Sequence, residues 1–362
     1  VKAAGTIEVP VEIPGHTCRV LVGRDLRARA GSLAREAGLT GTAAIVTDEN
    51  VARLHGAAVQ RSFEEAGGAA PLLAVPAGEA SKSLATAENL IDRMIAAGLD
   101  RTSFVVALGG GVVGDLAGFV AAVYHRGIPF VQIPTTIVAQ VDSSIGGKTG
   151  VNARAGKNLI GAFHQPRLVL ADTATLATLP DREYREGFAE VIKHAVIRDA
   201  ALLDALDPHT PRENLAPLVA RNIAIKAAIV AADEREASGT RALLNFGHTV
   251  AHAIENVAGY GRFLHGEAVS LGMAAALEIS VRKYGLSPAD AGRVRAKMSA
   301  FALPLTLPHD LPTDALLAAA RRDKKFAGGQ IRYVVCPRAG EAFVADDVTE
   351  DDIRTALEAL RS

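Results

Sequence analysis

The chain has 362 residues, 49% hydrophobic and 22% charged, which excludes a disordered chain and leaves room for one large domain or two. Lysine and arginine (39) balance aspartate and glutamate (40), so a net charge of -1 supplies no global field to draw nucleic acid or an anionic membrane. Two cysteines, Cys18 and Cys336, make no disulfide framework and fit no zinc spacing. The uncharged run 127–141 is too short for a membrane span and holds two prolines, and the N-terminus lacks a signal-peptide pattern, so the sequence reads as cytoplasmic. Without tryptophan and with 4% aromatics it offers no base-stacking platform.

Short apolar runs alternate with helical periodicity through the first half. Strands are predicted at 18–22, 43–47, 72–75, 104–108 and 130–133, and helices at 25–37, 51–66, 82–97 and 114–125. Strands that are apolar on both sides, alternating with helices, form a parallel sheet covered on both faces. The pattern changes near Asp172. Helices are predicted at 218–232, 242–257, 267–284 and 289–300, with one late strand at 331–335. The expected architecture is an α/β Rossmann-like nucleotide-binding domain (1–178) followed by an all-α metal- and substrate-binding domain (179–362), with a small-molecule site in the cleft between them.

Gly109-Gly110-Gly111-Val112-Val113-Gly114-Asp115 follows a predicted strand and opens a predicted helix. Glycines let the backbone turn and approach a ligand, and the helix N-terminus offers N–H groups to an anion. The spacing of Gly109, Gly111 and Gly114 satisfies the dinucleotide fingerprint, but the next strand ends in Gln132-Ile133-Pro134 and lacks the ribose-binding acid. Asp48 and Glu79, at the ends of earlier strands, are the acids available for that task, with Asn50 and Lys82 beside them. Thr135 and Thr136 end the following strand, as ribose or phosphate ligands or as a helix cap. Gly146-Gly147-Lys148-Thr149 looks like the end of a P-loop, but the loop's first glycine is missing. What remains is a glycine-spaced stretch carrying Asp142, Lys148, Asn152, Lys157 and Asn158, a set that suits an anionic, hydroxylated ligand.

Three of the ten histidines, His248, His252 and His265, fall within 18 residues. His248 and His252 are four apart on one helix, and Glu190 and His194 form a second such pair. Catalytic zinc takes three protein ligands and keeps one position open. Several triads can be drawn from Glu190, His194, His248, His252, His265 and Glu267. The cations Lys193, Lys226, Arg241, Lys324 and Lys325 accompany this cluster.

Taken in order, the segment 109–119 (Gly-Gly-Gly-Val-Val-Gly-Asp-Leu-Ala-Gly-Phe), 132–136, 139–144, 146–152, 156–158, 189–193, 245–252 and His265-Gly266-Glu267 resembles the 3-dehydroquinate synthase family of sugar phosphate cyclases. The likeness runs from about residue 78 to 335. It implies a homodimer, bound NAD, one divalent metal (zinc, or cobalt) and the substrate 3-deoxy-D-arabino-heptulosonate 7-phosphate. It also implies a carbon–oxygen lyase of the shikimate pathway, which leads to chorismate and the aromatic amino acids. By matching positions, Glu190, His248 and His265 are the metal ligands. NAD falls to Asp48, Asn50, Glu79, Lys82, Gly111, Val112, Val113, Gly114, Asp115, Thr135, Thr136, Lys148, Lys157, Thr175, Leu176 and Thr178. Substrate falls to Asp142, Lys148, Asn158, Lys193, Lys226, Arg241, Asn245 and His252, with Lys324 or Lys325 on the carboxylate and Arg126 reaching the phosphate of the neighbouring subunit. The implied reaction oxidises the substrate transiently with NAD, eliminates phosphate, reduces the product of elimination and closes a carbocycle by an intramolecular aldol step.

Two other enzymes share the outline. In a metal-dependent polyol dehydrogenase the glycine turn runs into a different sequence from the Val112–Gly118 stretch here. A cyclase acting on sedoheptulose 7-phosphate alters the carboxylate pocket, where Lys226, Arg241, Asn245 and His252 all fit the dehydroquinate pattern. A non-enzymatic nucleotide-binding module has no need of Glu190, His248 and His265.

Overall fold

The structure is a computed structural model that describes residues 5–361 apart from 14, 155, 260, 322–325 and 328–329. Lys324 and Lys325 therefore lie outside the described residues. The chain divides into two compact units. The first comprises Val1–Pro180 with Thr210–Ala231, and the second comprises Asp181–His209 with Ala232–Ser362. The helix Ala216–Ala232, which carries Lys226, thus belongs almost wholly to the first unit, so no single cut in the sequence separates the two.

The first unit is built on a seven-stranded sheet from β1 (Ile7–Ile13), β2 (His16–Gly23), β3 (Ala43–Asp48), β4 (Leu72–Val75), β5 (Phe104–Gly109), β6 (Phe130–Pro134) and, after the hairpin β7 (Lys148–Ala153) and β8 (Gly156–Phe163), β9 (Leu168–Asp172). Its order is β1-β2-β9-β6-β5-β3-β4, parallel throughout except for the edge pair β1–β2. Every residue of β5 and β6 is buried, as expected of strands covered on both faces. The pleat sorts them: Ala44, Val46, Val105 and Ala107 pack with Leu90, Met94, Leu116 and Val120 on one face. Ile45, Val106, Leu108 and Ile133 pack with Leu33, Val59 and Phe63 on the other.

From β3 the chain winds outward to β4, then returns to β5 and continues the opposite way to β6 and β9. The reversal lies between β3 and β5, the place where open α/β sheets bind ligands at the carboxyl ends of their strands. Asp48 ends β3 and the glycine turn follows β5 at that point.

The second unit is mainly helical and includes Phe188–Arg198, His248–Ala258, His265–Lys283, Pro288–Ala300, Thr313–Arg321 and Glu350–Ala359. It is not entirely α. A small antiparallel sheet, β10 (Phe326–Ala327), β11 (Gln330–Arg338) and β12 (Glu341–Val348), is present, and the strand expected at 331–335 is β11. The helix expected at 242–257 is two elements, because Gly247 takes a left-handed φ of 80° between the 3-10 turn Arg241–Asn245 and the helix His248–Ala258.

Candidate cofactor and metal sites

In the first unit, β5 runs into Gly110, and the helix Gly111–Val123 starts with no side chain capping it. The N–H groups of an uncapped helix start suit an anion. The glycines have packing reasons as well. A Cβ on Gly114 would lie 2.7 Å from Gln132 Oε1, one on Gly109 2.7 Å from Val113, and one on Gly118 2.5 Å from Thr149. Val112, Val113 and Asp115 follow on the first turns, Val113 buried and Asp115 meeting the buried ammonium of Lys82. Burial pushes the Asp115 carboxyl up, against the pull of Lys82. Lys82 Nζ also donates to Asn158 Oδ1, so a residue expected at the cofactor and one expected at the substrate share a partner.

Other expected cofactor residues have local bonds. Asp48 Oδ1 accepts from Asn50 N (2.9 Å) and Val51 N (3.0 Å) as a helix N-cap, and Asn50 Oδ1 accepts from Arg53. Thr136 Oγ1 accepts from Ala139 N at 3.1 Å, which makes it a cap too. Thr135 is buried, with its N–H on Gly109 O. Thr175 donates to Asp172 O, Thr178 to Thr175 O, and the Leu176 side chain is buried. Lys148 lies exposed at the start of β7, and Lys157 is half-buried on β8.

The segment Ala139–Ser143 is a π-helical turn, a distortion frequent at functional sites. Gln140 is buried beneath it and donates to Pro134 O, Asp172 O and Thr175 Oγ1, tying the ends of β6 and β9 together. The turn presents Asp142 to Lys226, whose buried ammonium lies 2.9 Å from Asp142 Oδ1 and 2.6 Å from Asp142 O. Arg126 is exposed, and both it and His125 hold left-handed backbone (φ 70° and 51°) beyond the helix end.

In the second unit one group of side chains could hold a metal ion. Ligand atoms of Glu190, His248 and His265 lie within 4.8 Å of one another. Glu190 Oε1 is 3.6 Å from His248 Nε2 and 3.5 Å from His265 Nε2. Two donors about 2.1 Å from one tetrahedral ion stand roughly 3.4 Å apart, so the spacing fits zinc. The outer nitrogens agree: His248 Nδ1 faces Phe246 O at 3.2 Å and His265 Nδ1 faces Glu255 Oε1 at 3.4 Å, leaving both Nε2 atoms turned inward. Burial and the Lys193 ammonium hold His248 well below its usual range, in the neutral form that binds metal. Burial pulls His265 down too, but its bonds to Glu190 and Glu255 outweigh this and carry it up to about 10. The two carboxylates thus favour positive charge at this point.

The packing explains the placement. His248 and His265 each begin a helix. A Cβ on Gly272 would lie 1.9 Å from Gly247 O, so only glycine lets these helices approach so closely. Glu267 lies outside this group: it accepts from Leu264 N at 2.9 Å and from Arg182 at 2.7 and 2.8 Å, capping its own helix. Lys193, one turn on from Glu190, is buried and paired with it. His252 is exposed, its ring 5.6 Å from that of His248. Arg241 is buried and donates to Glu234 O, and Asn245 is half-buried at the end of the same 3-10 turn. His194 is buried in the helix of Glu190.

The sequence pattern described as 3-dehydroquinate synthase N-terminal matches residues 72–186, and that described as 3-dehydroquinate synthase C-terminal matches residues 187–326. The chain belongs to the 3-dehydroquinate synthase family. A 3-dehydroquinate synthase from Symbiobacterium thermophilum is 51% identical over 94% of this chain and 97% of its own length. One from Cereibacter sphaeroides is 47% identical over 97% of each. Among solved structures, a 2-epi-5-epi-valiolone synthase from Streptomyces hygroscopicus, with NAD+ and Zn2+ bound, superimposes with a TM-score of 0.87 at 32% identity, covering 96% of this chain and 98% of that one. A 2-deoxy-scyllo-inosose synthase shares the fold at 24% identity and a TM-score of 0.87, covering 98% of this chain and 99% of that one.

Sequence reasoning did not give Gln140, Glu186, Asp233 or Glu255 a role. Glu186 is buried and accepts from Gly266 N; burial pushes its carboxyl up to about 7. Asp233 accepts from Ala237, Ser238 and Arg241 N–H groups and shapes the loop that carries Arg241. Such residues carry no spacing signature; only the fold brings them to the residues they orient. Among the described residues no helix is long and apolar enough to cross a membrane.

Proposed function

We propose that this chain is a cytoplasmic 3-dehydroquinate synthase, a carbon–oxygen lyase that converts 3-deoxy-D-arabino-heptulosonate 7-phosphate to 3-dehydroquinate and phosphate in the shikimate pathway. The observation that carries the reading is the Glu190–His248–His265 group with Lys193 beside it, in a chain that carries both halves of the family pattern. Two histidines and a glutamate match the donor set of catalytic zinc, with cobalt an acceptable substitute.

When bound, NAD supplies a hydride acceptor that each turnover regenerates, and the divalent ion supplies a Lewis acid for the hydroxyl to be oxidised. The rest falls to the chain's own groups. Gly111, Val112, Val113, Gly114 and Asp115 offer backbone N–H groups to the cofactor phosphates, with Asp48, Asn50, Glu79, Lys82, Thr135, Thr136, Lys148, Lys157, Thr175, Leu176 and Thr178 around it. Lys148 and Asn158 contact the substrate, and Arg126 from the second copy of a homodimer reaches its phosphate. Lys226, Arg241, Asn245 and His252, with one of Lys324 and Lys325, line its carboxylate pocket, while Asp142 and Lys193 contact the rest of the substrate. His252, the exposed histidine next to His248, moves protons to and from the substrate. The leaving phosphate takes the C6 proton itself, so the chain needs no dedicated carboxylate base.

The test is phosphate release from 3-deoxy-D-arabino-heptulosonate 7-phosphate with metal and catalytic NAD, following absorbance at 340 nm. Many turnovers per NAD with dehydroquinate formed and no NADH accumulating is the expected result. Activity on sedoheptulose 7-phosphate instead, or NADH accumulating on a polyol, overturns it.

A further inference from the structure

The hairpin β7–β8 breaks register where its chemistry lies. Val151 pairs with Ile160 and Ala153 with Gly156, so the single residue Asn152 stands opposite three, 157–159. A bulge of this kind leaves backbone groups outside the ladder and re-aims side chains. The residues it re-aims are Lys157 and Asn158, and Asn158 holds left-handed backbone at φ 56°. Asparagine tolerates that region better than most residues, but something must hold it there.

Asn152 does this with its amide. Its Oδ1 accepts the Asn158 N–H at 3.0 Å, the group the bulge removes from the ladder. Its Nδ2 donates to Glu79 Oε1 at 2.7 Å. Its own backbone N–H donates to Lys82 O at 2.8 Å, where Ser83 and Asn152 form an isolated parallel bridge. The amide orientation follows from the partners, since a backbone N–H only donates and a carboxylate only accepts. Both ends of the amide are used. An aspartate would set its charge against Glu79, and an alanine would satisfy neither partner.

The geometry points to Asn152 as a positioning residue that fixes the Lys157–Asn158 bulge and ties it to the Glu79 carboxylate. This rests on the reading above, in which Glu79 faces NAD and Asn158 the substrate. The seats of cofactor and substrate are then mechanically connected through one side chain, and disturbing either end of the amide reaches both.

Three variants test this: N152A, N152D and N152D/E79Q, with E79Q as reference. NAD Kd is measured by titration calorimetry without substrate, and KM and kcat with 3-deoxy-D-arabino-heptulosonate 7-phosphate. In N152A, KM rises by about tenfold while kcat changes by less than about threefold. In N152D, NAD Kd rises by about tenfold, and adding E79Q returns it to the E79Q value, because the amide introduced at 79 can donate to the carboxylate introduced at 152. A merely structural asparagine would give no such rescue. KM and Kd within about twofold of wild type in both single variants overturn the proposal, as does an N152D defect that E79Q leaves in place. If N152A fails to fold, the N152D pair still decides, since aspartate keeps the acceptor for Asn158 N–H. Wild-type protein that binds NAD but does not turn the substrate over removes the functional reading and leaves the calorimetric test standing; wild-type protein that does not bind NAD overturns both.

Discussion

Gly247 and Gly272 meet backbone to backbone: a methyl group on Gly272 would sit 1.9 Å from the Gly247 carbonyl oxygen, and one on Gly247 2.7 Å from Met273 N. This contact sets the spacing of the two helices that begin at His248 and His265. Gly272→Ala is expected to force them apart, costing about 3 kcal/mol, and to lower zinc occupancy although no ligand is touched. Thermal melts and metal analysis on the same sample check both. A variant with unchanged metal content and melting temperature would show that the helices have slack there.

Asp233 gives a pH-dependent case. Burial pushes its carboxyl up, but the N–H groups of Arg241, Ser238 and Ala237 outweigh this and hold it at about 2, against an ordinary 3.8. The folded pKa is depressed, so the stabilisation is complete above about pH 4 and is lost as the pH falls toward 2. Asp233→Asn is expected to lower the melting temperature by about 3 °C near neutrality. The gap to wild type should close through that acid window, as melts across pH would record. A gap independent of pH would mean that the charge on Asp233 contributes nothing.

The elements that escape sequence reading have physical reasons. The edge strand β1 alternates apolar and polar residues around Pro10, tolerable at an edge but a weak strand signal. The strand β9 follows the hairpin β7–β8 and not a helix, so it falls outside the strand–helix alternation by which the other parallel strands are read. The parallel strands β3, β5 and β6 are legible because burial on both faces leaves continuous apolar runs. In the metal group, residue types and spacing narrowed the ligands to six candidates, and the family resemblance chose three. What spacing alone could not supply was that Glu267 is occupied by Leu264 N and Arg182, a fact of helix capping. The bulge at Asn152 is likewise invisible until β7 and β8 are paired.

Lys226 places an ammonium 2.9 Å from Asp142 Oδ1, buried within the first unit. If this cation also meets the substrate carboxylate, Lys226→Ala should raise KM by at least about tenfold, a charge-assisted bond being worth roughly 1.5–3 kcal/mol. Lys226→Arg should not restore it, because the planar fork does not occupy the place of a compact ammonium. Steady-state kinetics on intact substrate decide it, and unchanged kinetics would remove Lys226 from the pocket.

His265 and Glu267 separate a proposed ligand from a helix cap within one helical turn. His265 turns Nε2 toward Glu190 and Nδ1 toward Glu255, whereas the Glu267 carboxylate closes the helix start and receives Arg182. His265→Ala removes one of three donors while leaving the cap intact. It should lose bound metal and nearly all turnover with the far-ultraviolet circular dichroism unchanged. Glu267→Ala should do the reverse, keeping one metal per chain while costing about 1 kcal/mol of stability from the lost cap. Metal analysis after dialysis against a weak chelator, paired with melts, reads both variants in one experiment. Stoichiometric metal in the histidine variant, or metal loss confined to the glutamate variant, would exchange their roles and move the centre away from Glu190, His248 and His265.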